Sequence, residues 1–273
     1  MKGDSTVKKF FRAFILTLAI GAIIYGTYNI STTLWGYYKA KKAHEELASS
    51  VITDNIEYNT KKETKKNPME VYKKEYGTPP DINWDELLAK NSDVAGWIWI
   101  PHVGISYPVM YSKTPQYYLR KDINKQWLLN GSIFIDHQNK KDFSSVNTIV
   151  YGHNMTDGSM FGKMNRFINP DNYPFNPYVW ILTPHGNYVY KMFTCFVEDP
   201  VGEAYLLFDK NESDPAQFND WIKKVVSRSK IPFGEPEDEI TLDSHIITLS
   251  SCYKDNRYRQ ISMCYRVFYD LKK

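Results

Sequence analysis

The chain has 273 residues, 42 % hydrophobic and 24 % charged, enough apolar material for a sizeable core and too much for a disordered chain. With 34 Lys and Arg against 31 Asp and Glu, its formal charge of +3 gives no electrostatic basis for binding nucleic acid. Three cysteines, Cys195, Cys252 and Cys264, cannot build a disulfide scaffold, and none stands in a C-x-x-C pair or at zinc-ligand spacing.

No charged residue occurs from Ala13 to Tyr38, a run of 26 positions. As a helix rising ~1.5 Å per residue that run covers ~39 Å, more than the ~30 Å hydrocarbon core of a bilayer. Lys2, Lys8, Lys9 and Arg12 precede it and favour a cytoplasmic N-terminus, although Lys39, Lys41 and Lys42 follow on the other side. A clear small-x-small cleavage site is missing after the apolar stretch, so the reading is an uncleaved signal-anchor over 1–38, not a removed signal peptide. Residues 39–80 read as an extracellular spacer: KAKKAHEELASS extends the helix by a few turns, then a polar, mixed-charge stretch closes at Pro79-Pro80.

The folded part is expected over 81–273. It opens with a short helix, INWDELLAKN, for which Asp81 or Asn83 is the available cap. Short apolar and aromatic runs separated by turn residues then begin at Gly96, Gly104, Asn130, Val146, Tyr178, Asn187, Ile240 and Arg257. Eight such runs predict a mostly β fold, a closed or nearly closed barrel with few helices. One further helix is well marked at 214–229: Asp214 caps, Pro215 takes the first helical position and Gln217 the third. Phe218, Trp221, Ile222, Val225 and Val226 recur at helical spacing and form an apolar stripe facing the barrel.

Cys252 closes the apolar strand that ends in TLSSC, where a thiol is exposed and yet held by a sheet. Period-two alternation puts Ile246, Thr248, Ser250 and Cys252 on one face. If Asp255-Asn256 is a two-residue hairpin turn, Tyr253 pairs with Tyr258 and Cys252 with Arg259 on the same face. Arg257 shares that face nearer the turn, and a one-residue slip would move both arginines away. A guanidinium there favours a thiolate or donates to the oxyanion of a tetrahedral intermediate. A cysteine nucleophile also needs a proton donor for its leaving amine, a role that suits histidine. His153 stands at a strand end in the polar loop YGHNMTDGSMF, whereas His44, His102, His137, His185 and His245 have blander contexts. Cys195 and Cys264 lie inside apolar strands and read as small buried hydrophobes.

The segments Asn130–Asp136, Tyr151–Met155 with Asp157–Phe161, and Thr248–Cys252, in this order behind an N-terminal anchor, resemble the sortase family, and class B sortases in particular. The match covers roughly 80–273, and the capped helix at 214–229 is similar to one that class B enzymes insert before the cysteine strand. The resemblance implies an eight-stranded sortase barrel and cysteine transpeptidation in cell-wall sorting. The partners it implies are a surface protein's C-terminal sorting motif, NPxT(G/N)-like, and an amine of the peptidoglycan precursor or cross-bridge. It implies no metal or organic cofactor. Carried onto this chain, it makes Cys252 the nucleophile, His153 the general acid/base and Arg259 the arginine at substrate and oxyanion. Leu119, Tyr151, Tyr205, Leu206 and Ser250 become walls of the peptide groove. Class B members have a slightly longer cysteine-to-arginine spacing, so the choice between Arg259 and Arg257 stays open at this level. A pilin-polymerising sortase, and a non-catalytic membrane-tethered wall-binding module, are the competing readings.

Overall fold

The computed structural model describes residues 3–53, 78–169, 177–231, 240–253 and 257–271. The chain divides into two compact units, Met1–Ala43 and His44–Lys273. Helix α1, Gly3–Val51, begins in the first and ends in the second. Its part from Phe10 on is long and apolar enough to cross a membrane. Phe14, Leu16, Ile23 and Ile24 are 61–66 % exposed, so the protein itself does not cover these apolar groups.

In the second unit the end of α1 is core. Leu47 and Val51 are buried with Ile82, Leu87, Trp97 and Tyr118. The stretch from His44 to Thr53, which reads as spacer from sequence, therefore packs as part of the folded unit. The backbone N–H of Asn83 donates to Val51 O at 2.7 Å, satisfying one of the carbonyls that a helix end leaves open. A two-residue strand β1, Ile52–Thr53, pairs antiparallel with β2, Asp81–Ile82. The rest of the expected spacer, 54–77, lies outside the described residues. Helix α2, Trp84–Lys90, is capped by Asn83, whose side chain accepts from Glu86 N.

All eight apolar runs contribute a barrel strand: β3 (Val94–Ile100), β4 (Ile105–Met110), β5 (Ile133–Ile135), β6 (Asn147–Gly152), β7 (Tyr178–Thr183), β8 (Gly186–Glu198), β9 (Ile246–Tyr253) and β10 (Tyr258–Leu271). They close in the order β10-β8-β7-β3-β4-β5-β6-β9, with β9 paired back to β10. Pairings are antiparallel except β4 with β5 and β6 with β9. The two longest strands, β8 and β10, slip register between Met263 and Cys264 and again between Arg266 and Phe268, irregularities of the kind that bend a sheet toward closure. The run beginning at Ile240 becomes strand only at Ile246. Thr241, Asp243 and Ser244 bond one another's backbone and hydroxyl groups and take that stretch into a turn.

Helix α3, Pro215–Ser227, starts at Asp214, whose carboxylate accepts from Ala216 N at 2.9 Å. Phe218, Trp221, Ile222 and Val225 are buried in one cluster with Phe193, Phe196, Ile261 and Met263, so the helical stripe covers β8 and β10.

Candidate active site

The barrel brings together the ends of three neighbouring strands. In β9 and β10, Cys252 is the register partner of Arg259 and Tyr253 of Tyr258. The pairing expected from sequence is therefore present, although the turn residues 254–256 lie outside the described ones. On the other side β6 runs parallel to β9, with Tyr151 opposite Ser250 and Gly152 opposite Ser251. One residue beyond that last pair stand His153, just past the end of β6, and Cys252, the penultimate residue of β9. Asn154 ties the two ends together: its Nδ2 donates to Cys252 O at 2.8 Å. Arg257 is exposed in the turn, whereas Arg259 is half-buried. The Arg259 charge reaches the phenols of both Tyr151 and Tyr205.

The His153 ring is oriented by backbone. Its Nε2 lies 2.9 Å from Leu119 O. A carbonyl only accepts, so Nε2 carries a proton in this bond and Nδ1 is the nitrogen left for exchange. The acceptor is held from below. Ser132 N donates to Tyr118 O at 3.0 Å, and Gly131, at φ +50°, passes so close that a Cβ there would collide with Leu119 O. The neighbouring Tyr118 is buried, its hydroxyl donating to Asp93 at 2.6 Å and accepting from Asn91 at 2.9 Å. Burial lowers the His153 pKa below the usual 6.5, and the Arg120 charge adds to the effect against the Leu119 bond.

The loop after His153 is folded back on itself. Phe161 N donates to His153 O at 2.9 Å, and Met160 N donates to the Tyr107 hydroxyl at 3.2 Å. The Phe161 ring lies over Gly152, where a Cβ would fall 2.5 Å from it. The glycine and the phenylalanine of YGHNMTDGSMF are thus two sides of one contact. Asp157 accepts from Ser159 N and Oγ and shapes the turn between them.

Next to the cysteine is an aromatic wall. Tyr151 and Tyr205 stack with centroids 6.3 Å apart at 19°. Tyr205 and Ser250 share a hydroxyl–hydroxyl bond of 2.7 Å, and Tyr151 donates to Asp136 Oδ2 at 3.1 Å. Burial raises both phenols, Tyr205 to about 12, and Tyr151 is raised further from its ordinary value by the Asp136 carboxylate, so both keep their protons. Leu206 is 48 % exposed at the rim, whereas Ser250 is 1 % exposed and meets Tyr205 rather than solvent. Leu119 enters through its carbonyl. Sequence reasoning passed over Asn154, Asp136 and Gly131. Asn154 lay in plain view beside His153, but its bond to Cys252 depends on the β6–β9 pairing. No group of three or more metal-ligating side chains occurs among the described residues.

No family model matches the chain. Sortase B of Listeria monocytogenes is 30 % identical over 175 residues, 64 % of this chain and 69 % of that protein. Sortase B of Staphylococcus aureus is 29 % identical over 171 residues, 62 % of this chain and 67 % of that one. Among solved structures, sortase B from Bacillus anthracis in complex with AAEK1 superposes with a TM-score of 0.66 at 21 % identity, covering 86 % of this chain and 99 % of that one. A sortase B complexed with Gly3 superposes with a TM-score of 0.59 at 22 % identity, covering 69 % of this chain and 86 % of that one.

Proposed function

The chain belongs to the sortase B family and is a cysteine transpeptidase, and on that premise we propose that it is a membrane-anchored enzyme joining surface proteins to a cell-wall amine. In this reading Cys252, His153 and Arg259 perform the chemistry on an NPxT(G/N)-like C-terminal sorting motif. The observation that carries it is the meeting of β6, β9 and β10, with Arg259 across from Cys252 and His153 one residue beyond the β6–β9 pairs. Family membership sets aside the alternative of a non-catalytic wall-binding module.

The Cys252 thiolate attacks the carbonyl carbon of the motif's threonine, and the negative charge moves to the carbonyl oxygen. Arg259 donates to that oxyanion. As the C–N bond breaks, His153 delivers a proton from Nδ1 to the departing amine, while its Nε2–H stays on Leu119 O. A thioester on Cys252 remains. An incoming amine attacks it, loses a proton to His153 and restores the thiol, so the sorted chain leaves on a new amide bond. Tyr151, Tyr205 and Leu206 supply an apolar and aromatic groove for the peptide, with Ser250 behind Tyr205. Gly3 on a solved sortase B supports a short peptide amine as the acceptor.

The test is a panel of fluorogenic pentapeptides varied at the first and last motif positions, incubated with and without triglycine or a lysine side-chain amine. Cleavage lost in Cys252→Ala, with products carrying the added amine, is expected. Products free of amine at every concentration would refute the transfer step, and preference for the lysine amine would favour the pilin-polymerising variant. The helix over 13–38 is the proposed single-pass anchor, N-terminus cytoplasmic. Protease added to intact cells should then degrade the catalytic unit, and protection of that unit would reverse the topology.

A further inference from the structure

Tyr205 and Leu206 sit at the end of a single 3-10 turn, Glu203–Tyr205, in the connection from β8 to α3. A surface connection keeps one conformation only when its backbone groups have partners. The carbonyls of Ala204 and Leu206 flank Tyr205, and both accept from Nδ2 of a single side chain, Asn147, at 3.1 and 3.0 Å. The amide is oriented from its other end, where Thr248 Oγ1 donates to Asn147 Oδ1 at 2.7 Å. Carbonyls only accept, so a flipped amide would face oxygen with oxygen at two places. Asn147 is 1 % exposed and Thr248 is fully buried. Asn147 opens the strand that ends beside His153, and Thr248 lies on the strand that carries Cys252 near its end.

A buried amide at a core position costs free energy that an apolar residue would not, unless its bonds are all made. Here the side chain's donors go to the connection carrying Tyr205, and its acceptor goes to the cysteine strand. We propose that Asn147 is a positioning residue for substrate recognition, holding the Tyr205–Leu206 wall at a set distance from the strand pair that carries His153 and Cys252. This rests on the reading that the two residues line the peptide groove.

The experiment uses the full chain in detergent micelles. Asn147→Ala is expected to raise KM for the sorting peptide roughly tenfold while kcat changes by less than about threefold, because the amide's bonds shape the groove for binding rather than for the transition state. The rate and pH profile of Cys252 alkylation remain those of the wild type. The Trp221 indole N–H donates to Glu203 O at 2.9 Å and reports the turn with no substrate present. Its 1H–15N resonance is expected to shift or broaden in the variant. Thr248→Val removes only the orienting hydroxyl, should move KM in the same direction, and should add little to Asn147→Ala in the double variant. It carries the test if Asn147→Ala does not fold. An unchanged KM in a folded variant overturns the proposal, as does a KM rise with an unmoved Trp221 resonance. If the wild type turns over no sorting peptide, the groove reading fails separately, and an unmoved Trp221 resonance alone still overturns the clamp.

Discussion

A thiol reacts as its thiolate, and burial in apolar surroundings withholds that form. Burial pushes the Cys195 thiol up to about 12 and the Cys264 thiol well above its ordinary value, whereas Cys252 is half-buried at a strand end. One equivalent of iodoacetamide is therefore expected to label the native protein at Cys252, and none to label Cys252→Ala; mass spectrometry of the intact chain distinguishes the two. His153 is held below 6.5 chiefly by burial, with Arg120 lowering it further. Arg120→Gln should raise the titration midpoint of the His153 ring, followed by NMR. The same shift makes stability depend on pH. Below 6.5 the unfolded chain takes up a proton that the folded ring resists, so stability falls as pH drops from 6.5 to the folded midpoint and then levels. His153→Gln should reduce the slope of that portion of the curve of Tm against pH, to which His102 and His245, also lowered by burial, contribute as well.

The elements that bound the site are set by a few close contacts. Gly152→Ala puts a methyl group against the Phe161 ring, and overpacking of this kind costs ~1–3 kcal/mol. The displaced loop carries His153, so peptide turnover should fall along with the melting temperature, and Phe161→Leu in the same chain should recover part of both. Helix α3 shows what a capping residue contributes. Asp214→Ala removes the bond to Ala216 N and should cost ~1 kcal/mol in denaturant unfolding, whereas Trp221→Ala, which empties a buried site under the helix, should cost ~3–5 kcal/mol.

At the scale of the molecule, α1 is shared between two units. Up to Ala43 it belongs to the first unit, with apolar side chains open to their surroundings, and from His44 it is part of the unit that holds the barrel. Leu47→Ala should lower stability by ~2 kcal/mol and the Tm of the barrel by ~4–8 °C in detergent. Leu34→Ala, at a side chain 62 % exposed, should leave the barrel's Tm unchanged. A calorimetric trace in which both changes act alike would refute the division.

Local pattern was enough for the parts whose cause is local. The charge-free run at 13–38, the Asp214–Pro215 start of a helix and the alternation that aligns Ser250 with Cys252 are legible because dehydration, capping and strand geometry act over a few residues. The Cys252–Arg259 pairing was legible too, since a hairpin partner lies close along the chain. Other features required strands distant in sequence to lie side by side. Leu119 O as the partner of His153, Asn154 on Cys252 O and Asn147 beneath Tyr205 all depend on the closed order of the barrel. The burial of the last turns of α1 does as well, because a stretch that is half polar in sequence reads as solvated until the core it covers exists. Periodicity names which face a residue occupies, and only the closed sheet decides what that face meets.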